Sequence, residues 1–274
     1  MTEASPNFLA FSLRPYQAVV SARFRALLQY RAAAFAGFAT QLFWGIIRVT
    51  IFTAFYAASP QQPISLPDMI SYLWLTQAMF ALAMWNVDQD IRTMIRTGTV
   101  AYEMLRPVDL YSLWYSRALA SRLAPTILRA LPMFVIATLF LGLRLPPSWT
   151  ALGAWMLTTC AALGLAAALS TLLTISLLYT VSSDGITRLA PTLMYVFSGM
   201  LLPLPLMPAW AQPVVNFLPF HDIIDTPFRL YSGNIPVTDL GPVLAHQLIW
   251  LAVLIGAGRV LLQKATHRLV VQGG

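Results

Sequence analysis

The sequence predicts an all-α integral membrane protein with six transmembrane helices, and three observations predict it. Of 274 residues, 58% are hydrophobic and only 10% charged, whereas a soluble domain carries about 25% charged residues; the mean hydropathy is +0.69. The apolar residues gather into runs of about 20 or more, the length that crosses a bilayer as a helix. Positive residues crowd into alternate connecting segments, as cytoplasmic loops do. A water-soluble fold cannot absorb so much apolar surface, because a single core stops growing near this chain length.

Residues 1–31 are expected to form a cytoplasmic amphipathic helix. Tyr16, Val19, Val20, Phe24, Leu27 and Leu28 recur at helical spacing, Arg14, Gln17, Ser21 and Arg25 fall largely on other faces, and Pro15 suits a first helical turn. Such a helix lies on the inner membrane surface. The segment carries Glu3 and no short apolar core followed by small residues, so it does not read as a signal peptide.

The first span runs from about Ala32 to Ala58 and holds one charge, Arg48. The second is about Met69 to Val87. A cytoplasmic segment follows, residues 88–110. Within it Ile91, Met94, Ile95, Tyr102 and Leu105 mark one apolar edge, and Asp88 and Arg92 stand at pairing distance on a helix. Gly98 bends or breaks the helix and Pro107 ends it. The third span, about Arg117 to Leu143, carries Arg117, Arg122 and Arg129 along its first half and is expected to kink at Pro125 and Pro132. The fourth is about Trp149 to Tyr179 and the fifth about Leu189 to Leu206. Residues 203–242 are too apolar for a free loop and too rich in proline for a span, so they read as an outer re-entrant segment of short half-inserted helices. The sixth span is about Leu240 to Leu262. The whole chain, 1–274, is read as one transmembrane domain.

The net charge is +7 and the pI about 9.9. On this map twelve positive residues fall on one side, including Arg14, Arg23, Arg25, Arg31, Arg92, Arg96, Arg106, Arg117, Arg188, Arg259, Lys264 and Arg268. The other side holds only Arg144 and Arg229. Both termini are therefore expected in the cytoplasm. The same asymmetry accounts for the basicity without a nucleic-acid partner.

The polar residues narrow the function classes. Glu3, Asp88, Asp90, Glu103, Asp109 and Asp184 map to the inner side, and Asp68, Asp222, Asp225 and Asp239 to the outer side. None falls at membrane depth, which weighs against an ion-coupled secondary transporter or channel. The sole lysine, Lys264, follows Gln263, so the chain lacks a Gly-Lys-Ser/Thr phosphate loop. His221, Asp222 and Asp225 make at most a partial metal site, and His246 and His267 stand apart in sequence; the expectation is no metal and no catalytic residue. No Gly-x-Ser-x-Gly motif supports a membrane-embedded hydrolase. Cys160 reads as a small buried hydrophobe. Arg48, with Trp44 one turn before it, is a candidate for the translocation path. The competing reading makes Arg48 a structural hydrogen-bond donor to the carbonyls of another helix.

Two passages resemble a known family. Arg96-Thr-Gly98-Thr-Val-Ala-Tyr102-Glu103-Met-Leu105-Arg106-Pro107-Val-Asp-Leu looks like the cytoplasmic loop after the second span of ABC type-2 permeases. Phe197-Ser-Gly199-Met-Leu-Leu-Pro203, then Met207-Pro208-Ala-Trp210, then Leu218-Pro219-Phe220, is similar to their outer re-entrant segment. The first passage is closest to a bacterial subgroup in which an ATPase is often encoded with two related permeases. The resemblance implies the membrane subunit of an ATP-driven exporter in the bacterial inner membrane. It implies a second permease, identical or paralogous, and two ATPase subunits docked on the N-terminal helix and the loop after span two. ATP and Mg would belong to those ATPase subunits, with no cofactor in this chain. The docking residues expected are Asp90, Ile91, Arg92, Met94, Ile95, Arg96, Gly98, Glu103, Leu105 and Arg106. In the outer segment Pro203, Pro208, Trp210, Phe217, Pro219 and Phe220 are singled out, with Trp210, Phe217 and Phe220 expected at the outer membrane interface.

Overall fold

The computed structural model describes residues 13–29, 31–59, 61–180 and 184–267. Glu3, Arg268 and Gly274 lie outside the described residues, as do the side chains of Leu27, Leu28, Arg31 and Asp184. All regular secondary structure among the described residues is helical. Helices α1 (Arg14–Leu28) and α2 (Arg31–Ala58) lead to α3 (Leu66–Ala78) and a short α4 (Phe80–Ala83). Then come α5 (Gln89–Thr97), α6 (Ala101–Met104), α7 (Leu110–Phe140), α8 (Trp149–Ser176) and α9 (Asp184–Phe197). The short α10 (Gln212–Phe217) and α11 (Asp225–Ser232) precede the long α12 (Leu240–Thr266).

Among the described residues four helices are long and apolar enough to cross a bilayer: Phe35–Ala58, Leu110–Phe140, Trp149–Ser176 and Val237–Thr266. These correspond to the first, third, fourth and sixth expected spans. The third starts earlier than expected, because the Asp109 carboxylate accepts the Ser112 N–H at 2.8 Å and caps the helix there. With 31 residues, α7 is about 46 Å long at 1.5 Å per residue, well beyond the roughly 30 Å hydrocarbon core. Its first turns can therefore stand clear of the bilayer, and the helix runs unbroken through Pro125 and Pro132.

The other two expected spans are not single continuous helices. The second begins where Ser65 accepts the Asp68 N–H at 3.3 Å, stops at Met79, resumes for the four residues of α4 and then extends to Asp88. The fifth is α9, whose 14 residues reach only about 21 Å. Apolar composition does not reveal whether the backbone stays helical. A break is tolerated when protein surrounds it, and every residue from Ser71 to Met79 is buried.

The core lies around α8. Its Ala162 and the run from Gly164 to Ala168 are buried on all sides of the helix, and these mostly small residues let α7, α11 and α12 pack closely. Cys160, expected to be buried, is exposed. The bundle has two ends. The proximal end carries α1, α5, α6 and the start of α7; the distal end carries α10, α11 and the start of α8. At the proximal end α1 lies against α7. Tyr16, Val19, Val20 and Phe24 are half-buried, and the Asp109 N–H donates to the Tyr16 hydroxyl at 3.0 Å.

Candidate functional site

An ion-pair hub organises the proximal end. Arg117 on α7 reaches Asp88 Oδ2 at 3.1 Å, Asp90 Oδ2 at 3.2 Å and Glu103 Oε1 at 3.0 Å. Arg23 on α1 joins it, 3.1 Å from Asp88 and 3.4 Å from Asp90. The second Glu103 oxygen accepts the Trp114 indole N–H at 2.9 Å. Asp88 also caps α5, accepting the N–H groups of Asp90 and Ile91. One carboxylate thus closes a helix terminus and ties α1 and α7 to it, with charge favourable at a helix N-terminus. Gly98, in the left-handed region at φ 75°, ends α5 and turns the chain into α6.

This geometry revises the expected docking edge. Ile91 is 1% exposed, and Met94 and Ile95 pack beside it against Tyr111, Trp114 and Ile175. Their i, i+3, i+4 spacing therefore marks the face that α5 turns inward. Glu103, expected among the outward charges, is buried in the hub. Asp88 pairs with Arg23 and Arg117 and also caps α5. Beyond Gly98 the chain presents the other side: Tyr102 is 71% and Leu105 80% exposed, with Asp90, Arg96, Gly98 and Arg106 exposed around them and Arg92 half-buried.

A second network sits towards the distal end. Arg48 donates to the carbonyls of Met200 at 2.6 Å and Leu201 at 3.2 Å, and to Thr76 Oγ1 at 3.2 Å. Tyr72 donates to Gly199 O at 2.9 Å and Asp225 Oδ1 at 3.1 Å. Asp225 also accepts the Leu204 N–H at 2.9 Å and Arg229 Nη1 at 3.3 Å. The turn after α9 is thereby held from α2, α3 and α11. Gly199 has φ 86°, and a Cβ there would meet the Tyr72 hydroxyl at 2.5 Å, so the position needs glycine. Burial pushes the Asp225 carboxyl above its ordinary range, opposed mainly by Arg229. Trp44 does not join this network. It lies half-exposed beside Phe43 on the open side of α2.

Arg122, read from the sequence only as one of the α7 arginines, is 4% exposed. It donates to Ala118 O at 2.8 Å, to Met84 O at 2.7 Å and to the Ser170 hydroxyl. It lines a cavity of about 230 Å³ that opens beside Arg23, Asn86 and Asp88.

Of the outer-segment residues, Pro208, Trp210 and Phe217 are exposed, whereas Pro203 and Pro219 are buried. Phe220 departs from the expected interfacial position. Its ring packs inward, 5.4 Å from Trp85 and 6.1 Å from Phe197. His246, which the sequence left isolated, meets Asp222. No local spacing signals that contact, because 24 residues separate the two.

The long apolar helices and the buried arginines that serve carbonyls inside the bundle define a multi-pass α-helical membrane protein. A protein-family model described as "ABC-2 family transporter protein" matches residues 62–273, most of the chain. The chain belongs to the ABC-2 transporter family and is a membrane permease of the ABC transporter class. No curated protein and no solved structure matches it.

Proposed function

We propose that the chain is the permease subunit of an ATP-driven exporter, multi-pass in the bacterial inner membrane with both termini cytoplasmic. In this reading the proximal end faces the cytoplasm and receives a separate ATPase. A second permease, identical or related, completes the substrate path. α3–α4 and α9 count as the two further crossings, with protein rather than lipid around their breaks. Residues 203–242 form the re-entrant outer segment, a reading supported by Phe220 resting on Trp85 within the bundle. ATP and Mg are bound by the ATPase, and the permease makes and breaks no bond.

The observation that carries the proposal is the hub around Arg117. It joins α1, the loop of α5 and α6, and the long transmembrane helix α7 through paired charges. A push on the exposed Tyr102–Arg106 edge is therefore delivered to a membrane-crossing helix. Short apolar edges framed by charges dock into partner grooves, with charge pairs setting register. Anionic lipid would also attract the arginines, but it would repel the exposed Asp90 carboxylate beside them.

Replacing Leu105 with Arg and Tyr102 with Asp tests this, since neither side chain supports the hub. The variant permease is expected to insert normally while copurification of its ATPase from membranes, and transport, are lost. Undiminished recovery of the ATPase with full transport would overturn the docking assignment.

A further inference from the structure

The distal end holds a cluster that the transport reading does not use. His221 and Asp222 lie in a single 3-10 turn, His221–Ile223, and His246 lies on the second turn of α12. One ligand atom from each, all three within 4.8 Å of one another, can converge on a point. Asp222 is 1% exposed, and the three residues line a cavity of about 240 Å³ together with Asn216, Thr226 and Arg229.

Hydrogen bonding sets what His221 offers. Its Nδ1 lies 2.9 Å from the carbonyl oxygen of Leu218. A carbonyl only accepts, so Nδ1 carries the proton and donates. In neutral His221 the lone pair is then on Nε2, which lies 3.6 Å from Asp222 Oδ1. A bare lone pair so near a carboxylate oxygen is unfavourable, and a metal ion or a proton between the two relieves it. A histidine that donates its far nitrogen to a backbone carbonyl is oriented as metal-bound histidines are. The other carboxylate oxygen faces His246 Nδ1 at 2.5 Å, and the Thr226 hydroxyl donates to Oδ1 at 3.3 Å. Arg229, the one positive side chain lining the cavity, is held by Asp225 at 3.3 Å. Its charge is balanced there, and the uncompensated charge of the cluster is that of Asp222.

We propose that His221, Asp222 and His246 bind a divalent transition-metal ion, Zn²⁺ by the chemistry of two imidazoles and one carboxylate. Bond lengths of about 2.0–2.2 Å in a tetrahedral site require ligand atoms roughly 3.4 Å apart; His221 Nε2 and Asp222 Oδ1 stand close to that, whereas His246 Nδ1, now hydrogen-bonded to Asp222 Oδ2, gives up that proton and swings slightly outward to admit the ion. The fourth position faces the cavity and takes water. The ion ties the turn at 221–223 to α12 and so clamps the outer segment to the last long helix.

The test uses the full-length chain in detergent, titrated with Co²⁺ as a visible-absorption probe and then with Zn²⁺. One saturable equivalent with a tetrahedral spectrum, displaced by Zn²⁺, is expected. Affinity should fall at least tenfold in His221→Gln and in His246→Gln and stay unchanged in His267→Gln. A second measurement needs no variant: Zn²⁺ should protect His221 and His246, and not the exposed His267, from acylation by diethylpyrocarbonate, read by peptide mass spectrometry. Absence of saturable binding to the wild type, binding that persists in both variants, or acylation indifferent to Zn²⁺ would each overturn the site. The last pattern with a pH-titrating His221 would assign the gap to a proton instead. None of these readouts involves the ATPase, so the metal site stands or falls separately from the exporter reading.

Discussion

Arginine is expensive in a membrane interior, yet Arg48 and Arg122 share one structural task. Each donates to carbonyls where a short helix stops: Arg48 to Met200 and Leu201 after α9, Arg122 to Met84 after α4. Carbonyls at a helix end have no partner within the helix, and a cation there also suits the helix dipole. The two charges least expected from composition are thus the ones that let two apolar segments break inside the bundle. Replacing Arg48 with Ala orphans the carbonyls, at about 1–3 kcal/mol for each group left buried. Arg48→Ala should therefore inactivate thermally well below the wild type in detergent, and Arg48→Lys should fall between them because an ammonium lacks the guanidinium fork. A fully stable Arg48→Ala protein that has lost substrate stimulation of the ATPase would instead place Arg48 on the translocation path.

At the scale of elements, the segment from Asp88 to Arg106 behaves as one folded unit whose stability rests on the balance of charges around Arg117. Three carboxylates share two arginines there. Removing a carboxylate eases that balance, whereas removing the central cation takes from Glu103 its arginine partner and leaves Asp88 paired with Arg23 among the described residues. Arg117→Gln should therefore cost more than Glu103→Gln, by roughly 3 kcal/mol given the penalty for breaking a largely buried pair. Amide hydrogen exchange across Gln89–Thr97 checks this: strong deprotection is expected for Arg117→Gln and a slight change for Glu103→Gln. Equal deprotection in both would show that the hub is not centred on Arg117. The segment's position, its helix start at Asp88 and its break at Gly98 were legible in the sequence, because capping and left-handed turns are local chemistry. Which edge faces outward was not. Ile91, Met94, Ile95 and Leu105 look alike in a periodicity count, and the reversal at Gly98 sends Leu105 the opposite way.

For the whole molecule, burial separates the long helices by role. In their most apolar stretches α8 is 56% buried, against 17% for α2 and 11% for α12. The central helix is therefore α8, while α2 and α12 present open apolar faces of the kind that lipid or a second permease covers. In the topology proposed from the charge asymmetry, the proximal end faces the cytoplasm. Cysteines at the exposed Thr99 and Pro147 positions, in a Cys160→Ser background, should react with a membrane-impermeant thiol reagent from opposite sides. Labelling of both from one side would refute the arrangement. Hydropathy, read along the chain, was enough to establish a multi-pass membrane protein, and four of the six spans it predicts are long helices, because lipid acts on each segment according to its own composition; the family resemblance rested instead on the two passages around Gly98 and Gly199. The break at Met79, the inward turn of Phe220, the burial of Glu103 and the meeting of His246 with Asp222 emerged with packing. Each depends on which distant surface a segment meets. In a bundle where nearly every face is apolar, composition does not distinguish a face covered by lipid from one covered by protein.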